Sequence, residues 1–273
     1  MTDPTERPSF SFPTEAPAEP AVPRDAATVI VVRDGGAGLE TFMLRRHLNS
    51  DFIGGAYVFP GGTLDPGDRD PRFASLIAGI GEDLRRALGE DTVPLLACAF
   101  RETFEEAGIL LARDRHGESV RLLDDARWAK RRDDLNARTR PFLEILEEAD
   151  VILDATLVRF WSRIVTPLAA PKRYDARFFV ARMPEGQEPL HDDLETTDSV
   201  WISPATAVAD GRAGRFQIIF PTRRTLEQID ACGSVDGILE AAHARDAEPL
   251  TPEIILSEGV ARIRLGDGEV HDL

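Results

Sequence analysis

The chain has 273 residues, 42% of them hydrophobic, enough to bury a full core, and its formal net charge of −16 disfavours sequence-independent binding to nucleic-acid phosphates. Its two cysteines, Cys98 and Cys232, lie far apart and outside any CxxC or Cys/His spacing, so neither a disulfide framework nor a zinc site is signalled. No run approaches the roughly 18 apolar residues of a bilayer-spanning helix, and we expect a soluble, cytoplasmic protein with no membrane or nucleic-acid partner.

Residues 1–24 are rich in proline and lack the basic start and apolar stretch of a signal peptide, so a disordered arm is expected there. The β-rich runs at 26–32 and 40–46, separated by a glycine-rich turn, predict a hairpin or a nearby strand pair, and a third strand at 56–59 runs into Pro60-Gly61-Gly62. Over 70–89, Phe73, Leu76, Ile77, Ile80, Leu84 and Leu88 recur at helical spacing, which predicts one amphipathic helix weakened by Gly79 and Gly81. A second helix follows, with Pro94 suited to its first turn and Gly108 to its C-terminal stop. Residues 124–150 and 221–244 are helical in pattern, while 157–165, 177–182 and 199–203 read as strands. Interleaved strands and helices predict an α/β layered domain.

The second helix carries the chemistry. Leu96, Phe100, Thr103, Phe104 and Ala107 share one arc, and Glu102, Glu105 and Glu106 share the opposite one. Like charges at these spacings repel by a few tenths of a kcal/mol per pair. Three carboxylates on one arc are a good ligand set for a hard divalent cation, which takes oxygen donors. A solvated acidic face is the other reading that the residues allow.

The run Arg101-Glu102-Thr103-Phe104-Glu105-Glu106-Ala107-Gly108-Ile109 resembles the second half of the Nudix hydrolase box, G-x5-E-x7-R-E-U-x-E-E-x-G-U with U apolar, departing from it only at Thr103. Counting the first half from Gly62 leads to Asp68 where the family has glutamate, and 32 residues then precede Arg101 where seven belong. The box therefore carries an insertion of 25 residues, 69–93. One branch is known for such an insertion, the coenzyme A diphosphatases of the peroxisomal nudix motif 19 type, and stretches at 166–184, 199–204 and 220–226 are similar to it as well. The upstream signature of other coenzyme A pyrophosphatases keeps its register at Arg46, Gly55 and Phe59–Gly62, with His47 and Asp51 as departures.

The resemblance implies a Nudix-type α/β/α sandwich with a mixed sheet over 25–230, followed by a helical and strand extension over 231–273 packed on it. It implies hydrolysis of a nucleoside diphosphate linked to another group, with coenzyme A or acyl-coenzyme A as the leading substrate. NAD-type dinucleotides or ADP-ribose, or a non-catalytic nucleotide-binding role, remain as alternatives. Mg²⁺ or Mn²⁺ would be held by Glu105 and Glu106, with Glu102 as a further ligand or base and the carbonyl of Gly61 or Gly62 completing the site. Arg101 is expected to pair with Asp68, and Gly108 to end the helix.

Arg46, Lys172 and Arg173 are candidate phosphate-binding groups, and Glu195 is a candidate late ligand or base. The insertion is expected either to cover an acyl or pantetheine tail, to dock on the core, or to form a contact in a homodimer.

Overall fold

The computed structural model describes residues 16–48, 54–123, 125–192, 196–257 and 260–272. In chain order, β1 (Arg24–Gly35) and β2 (Gly38–Arg46) form an antiparallel pair, β3 (Tyr57–Val58) adds to β2, and β4 (Gly61–Thr63) adds to β1. A 3-10 turn at Pro66–Arg69 leads through α1 (Phe73–Leu76), β5 (Ile77–Ala78) and α2 (Glu82–Leu88) to α3 (Thr92–Ala107), the acidic helix. Next come β6 (Ala112–Asp114), α4 (Ala126–Asn136), α5 (Phe142–Ala149) and β7 (Val151–Asp154), with β7 pairing both β5 and β6 in a small side sheet.

Three longer strands follow, β8 (Val158–Val165), β9 (Tyr174–Arg182) and β10 (Thr196–Ile202), and then the helices α6 (Pro204–Arg212), α7 (Phe220–Asp230) and α8 (Val235–Ala242). After β11 (Pro249–Leu250), the strands β12 (Glu253–Ser257), β13 (Val260–Arg264) and β14 (Val270–Asp272) form a separate antiparallel sheet. The main sheet has the order β10-β2-β1-β9-β8-β11 and is mixed, because β1 runs parallel to β9 while β2 runs antiparallel to β1.

The sheet is covered on both faces, which is why β1 reads as a nearly unbroken apolar run. Ala27, Val29 and Val31 point into one core cluster with the apolar residues of α1 to α5; Ile30 and Val32 point into a second with those of α6 to α8. The architecture is the expected α/β/α sandwich.

Three long helical predictions break in two. Residues 70–89 do not form one helix: Gly79 adopts φ +73°, Ile77–Ala78 pairs in parallel with Leu153–Asp154, and α2 restarts after Gly81. A side chain at Gly79 would also press within 2.5 Å of Thr156 Cγ2. The predicted apolar stripe is nonetheless buried, since Phe73, Ile77, Leu84 and Leu88 all enter the cluster around α3. The stretch 124–150 divides at Arg138, with φ +55°, and Pro141, and 221–244 divides at Gly233, with φ +72°, where Ser234 caps α8. Of the expected arm at 1–24, residues 1–15 lie outside the described residues.

Candidate active site

Helix α3 turns its apolar side into the core, where Leu96, Phe100 and Phe104 are buried, and ends at Gly108 in the left-handed region with φ +66°. Thr103, the departure from the aliphatic motif position, is fully buried and satisfies its hydroxyl by donating to Ala99 O at 2.7 Å. A threonine can therefore stand there without an unpaired polar atom.

On the opposite side, three carboxylates gather around one guanidinium. Arg101 donates through Nε and Nη2 to the two oxygens of Asp68 at 2.8 Å each, and through Nη1 to Glu102 Oε1 and Glu105 Oε2 at 2.8 Å each. Its Nη2 also reaches Thr63 O on β4 at 3.2 Å. Asp68 in turn accepts from the Asp65 amide at 2.8 Å, closing the 3-10 turn as a capping box. Burial opposes the Arg101 charge, but the pairing with Asp68 and the nearby Glu102 more than offset it, so its pKa is raised and it stays protonated.

Glu106 takes a different partner. Its Oε2 accepts from the Gly61 amide at 2.8 Å, which holds the helix against the β4 turn. The turn is tight: a Cβ on Gly61 would fall 2.5 Å from the backbone oxygen of Ala27, and one on Gly62 would fall 2.4 Å from Glu102 Oε1 and displace that carboxylate. Cys98, also on α3 and fully buried, directs its thiol at Gly62 O at 3.7 Å, and burial pushes its pKa well up.

One positive charge against four carboxylates leaves the cluster strongly acidic. Burial raises the Glu105 pKa to about 7, with Arg101 pulling it down and Glu102 pushing it further up. Among the described residues, no three His, Cys, Asp or Glu side chains already stand in metal-ligand geometry. Instead, the carboxylates close on Arg101 and on the Gly61 amide. The donor set is all oxygen and short of positive charge, which suits a hard divalent cation.

Sequence reasoning missed the support behind α3. Arg132 on α4 forks onto the carbonyls of Glu105 and Glu106 at 2.9 Å each, and also reaches Leu190 O at 2.8 Å. Asn136 adds a bond to Glu105 O at 3.3 Å. The available signal was the four-residue spacing of Trp128, Arg132 and Asn136, which places them on one face of α4.

The acidic cluster opens into a cleft of about 1750 Å³. Arg46 lines it, as do Gly61, Gly62, Asp68, Arg101 and the three glutamates. Lys172 and Arg173 do not line it, and Arg173 donates to Thr166 O at 3.0 Å and Ala21 O at 2.8 Å, tying backbone segments together. Asp51 and Glu195 lie outside the described residues.

A helix with the pattern R-E-x-x-E-E-x-G, seated on a glycine turn of a mixed sheet that helices cover on both faces, defines a Nudix domain. Within that class the chain belongs to the NUDT19 Nudix domain family, whose profile matches residues 80–222. The chain is 30% identical over 207 residues to the human acyl-coenzyme A diphosphatase NUDT19, covering 62% of this chain and 55% of that protein. It is 28% identical over 214 residues to the Gallus gallus protein of the same name, covering 64% and 56%. The chain thus spans about half the length of the curated relatives it matches. The crystal structure of a NUDIX hydrolase from Alicyclobacillus acidocaldarius superposes with a TM-score of 0.69 at 27% identity, covering 83% of this chain and 97% of that one.

Proposed function

We propose that the chain hydrolyses the diphosphate of coenzyme A or acyl-coenzyme A, releasing 3′,5′-ADP and (acyl-)4′-phosphopantetheine. The observation that carries this reading is the gathering of three carboxylates around a single guanidinium, with Glu106 bound to the adjoining glycine turn, on the wall of a cleft large enough for a substrate of that size. Similarity to proteins named acyl-coenzyme A diphosphatase supports the choice of substrate.

In this reading Glu105 and Glu106 would hold Mg²⁺ or Mn²⁺, assisted by Glu102 and the Gly62 carbonyl. An ion held there would supply Lewis-acid polarisation of the phosphoryl oxygens and activation of the attacking water. The chain's own residues set up the rest. Water oxygen bonds to one phosphorus as the bridging P–O bond breaks, and a proton passes from the water to a carboxylate of the cluster, with Glu102 as the candidate base. Arg101 stays protonated throughout and keeps the turn at Asp68 fixed to the helix. Arg46 is the one of the three predicted cationic groups that lines the cleft, where its guanidinium can offer the phosphates a fork.

The test is incubation of the purified protein with Mg²⁺ or Mn²⁺ and a panel of coenzyme A, acyl-coenzyme A, NAD⁺ and ADP-ribose, with products identified by mass. Release of 3′,5′-ADP supports the reading. Cleavage confined to NAD⁺ or ADP-ribose, or no cleavage at all, refutes it.

A further inference from the structure

Strand β4 carries the cleft from one face of the sheet to the other, because alternate residues of a strand point to opposite faces. Gly62 stands opposite Ala27, which faces the α3 cluster, and a Cβ there would meet Glu102. Thr63 stands opposite Ala26 and so faces the other side, where it also lines the cleft.

Strand register fixes the floor on that second side. Strands β1 and β9 run parallel there, with Arg24 paired to Tyr174, Ala26 to Ala176 and Thr28 to Phe178. All six line the cleft, whereas the alternate residues Asp25, Ala27, Asp175 and Arg177 do not. The middle pair is two alanines, which leaves a low step between the Arg24–Tyr174 pair and the Thr28–Phe178 pair. Arg24 is exposed, and Tyr174 and Ala176 are half-buried, so this part of the floor has surface left to offer.

Arg24 is anchored at the catalytic turn. Its Nη2 donates to Thr63 Oγ1 at 3.0 Å, and Thr63 O accepts from Arg101 Nη2 at 3.2 Å, so one threonine joins the two guanidinium groups. Asp65, the next carboxylate along the chain, accepts from the Gly67 amide of its own turn at 2.9 Å. The Arg24 side chain thus bonds a neutral hydroxyl, whereas Arg72 and Arg140, elsewhere on the cleft wall, pair with Asp70, Glu147 and Glu148.

We infer that Arg24 and Tyr174 form the subsite for the 3′-phosphoadenosine half of the substrate, Arg24 holding the 3′-phosphate and Tyr174 carrying the adenine. The inference rests on the diphosphatase reading and deepens it. The 3′-phosphate is the anionic group of coenzyme A outside the diphosphate, and it belongs to the nucleotide; the pantetheine and acyl groups are neutral. A guanidinium gains charge-assisted bonds from a phosphate, whereas a neutral tail laid over it removes water and returns no charge. A purine stacks on an aromatic face, and Tyr174 stands one strand spacing, about 4.8 Å, from Arg24. The diphosphate then crosses β4 between this floor and the acidic cluster.

The experiment measures kcat/KM for coenzyme A and for 3′-dephospho-coenzyme A in the wild type, Arg24→Met, Thr63→Val and Arg138→Met. Thr63→Val keeps the shape of the residue and removes the hydroxyl that receives Arg24. Arg138 is the competing cation on the cleft wall. In parallel, 3′,5′-ADP and AMP are titrated by calorimetry into the wild type, Arg24→Met and Tyr174→Leu. The wild type should prefer coenzyme A by about tenfold or more, the scale of one hydrogen bond to a charged group. That preference should vanish in Arg24→Met, shrink in Thr63→Val and persist in Arg138→Met. Arg24→Met should weaken 3′,5′-ADP far more than AMP, and Tyr174→Leu should weaken both alike. A wild type without the preference, its persistence in Arg24→Met, or its loss in Arg138→Met overturns the Arg24 assignment, while turnover of coenzyme A leaves the diphosphatase reading standing. Unchanged AMP binding in Tyr174→Leu overturns the adenine placement. A wild type that cleaves neither substrate overturns the subsite and the reading together.

Discussion

Arg101 and Asp68 meet through two parallel hydrogen bonds of 2.8 Å, and this fork joins the two halves of a motif that 32 residues separate. Asp68 is 2% exposed, so its charge has little water to fall back on if the arginine is removed. Loss of one partner of a buried pair costs about 3–5 kcal/mol, because the other is left uncompensated. Arg101→Met is expected to lower the melting temperature steeply, and a variant melting with the wild type would show that the fork does not hold the turn.

Glu106 accepts from the Gly61 amide, and an amide oxygen can accept the same bond. Glu106→Gln should therefore fold normally while losing about 100-fold or more in kcat, the scale on which removing one electrostatic contributor to a site acts. Turnover on coenzyme A is the readout, with circular dichroism to verify folding. Retained turnover would remove Glu106 from the ligand set.

The shift at Glu105 has a definite sign. Its folded pKa of about 7 lies above its ordinary 4.5, so the folded protein binds the proton more tightly than the unfolded chain. The stability this contributes is complete below pH 4.5 and is lost as pH rises through 7. In EDTA, the difference in melting temperature between Glu105→Gln and wild type should grow in favour of the variant across that window. A divalent cation requires the ionised carboxylate, so Mg²⁺ should reverse the wild-type loss at neutral pH and release a proton on binding. A difference that stays flat with pH would contradict the shift.

Much of this site is legible in the chain because it is local. The three glutamates occupy one arc by helical geometry alone, and the stop at Gly108 follows from a residue that enters the left-handed region without strain. The pairing of Arg101 with Asp68 could be named because both lie within the same motif. What was not legible depends on distant partners. Leu190 and the carbonyls of α3 meet at Arg132 only in the folded chain; the spacing of Trp128, Arg132 and Asn136 marks a shared face of the helix without naming what that face meets. The insertion reads as one helix because its apolar stripe has helical period; the short pairing of Ile77–Ala78 with β7 competes with that period and wins locally. The C-terminal hairpin carried no motif, and its packing against Phe220 of α7 appears only in the folded chain.

Arg132 acts on the site through backbone, since its guanidinium satisfies the carbonyls that the last turn of α3 would leave without partners. A lysine cannot present the same planar fork. Arg132→Lys is expected to reduce kcat about tenfold with KM for coenzyme A nearly unchanged, as for other residues that orient ligands from behind. Metal affinity, measured by calorimetry, should weaken in step. A rise in KM with unchanged kcat would instead place Arg132 against the substrate.

Gly62 offers the sharpest steric test. An added Cβ would sit 2.4 Å from Glu102 Oε1, closer than van der Waals contact permits, so either the carboxylate or the turn has to move. The φ of Gly62 is not in the left-handed region, so alanine meets this contact without added backbone strain. Gly62→Ala should therefore fold with a near-normal melting temperature and lose tenfold or more in metal affinity, on the scale of about 10–100-fold for disturbed ligand supports. If Mg²⁺ titration of that variant matches the wild type, Glu102 and the β4 turn do not cooperate in holding the ion, and its part in the site passes to Glu105 and Glu106 alone.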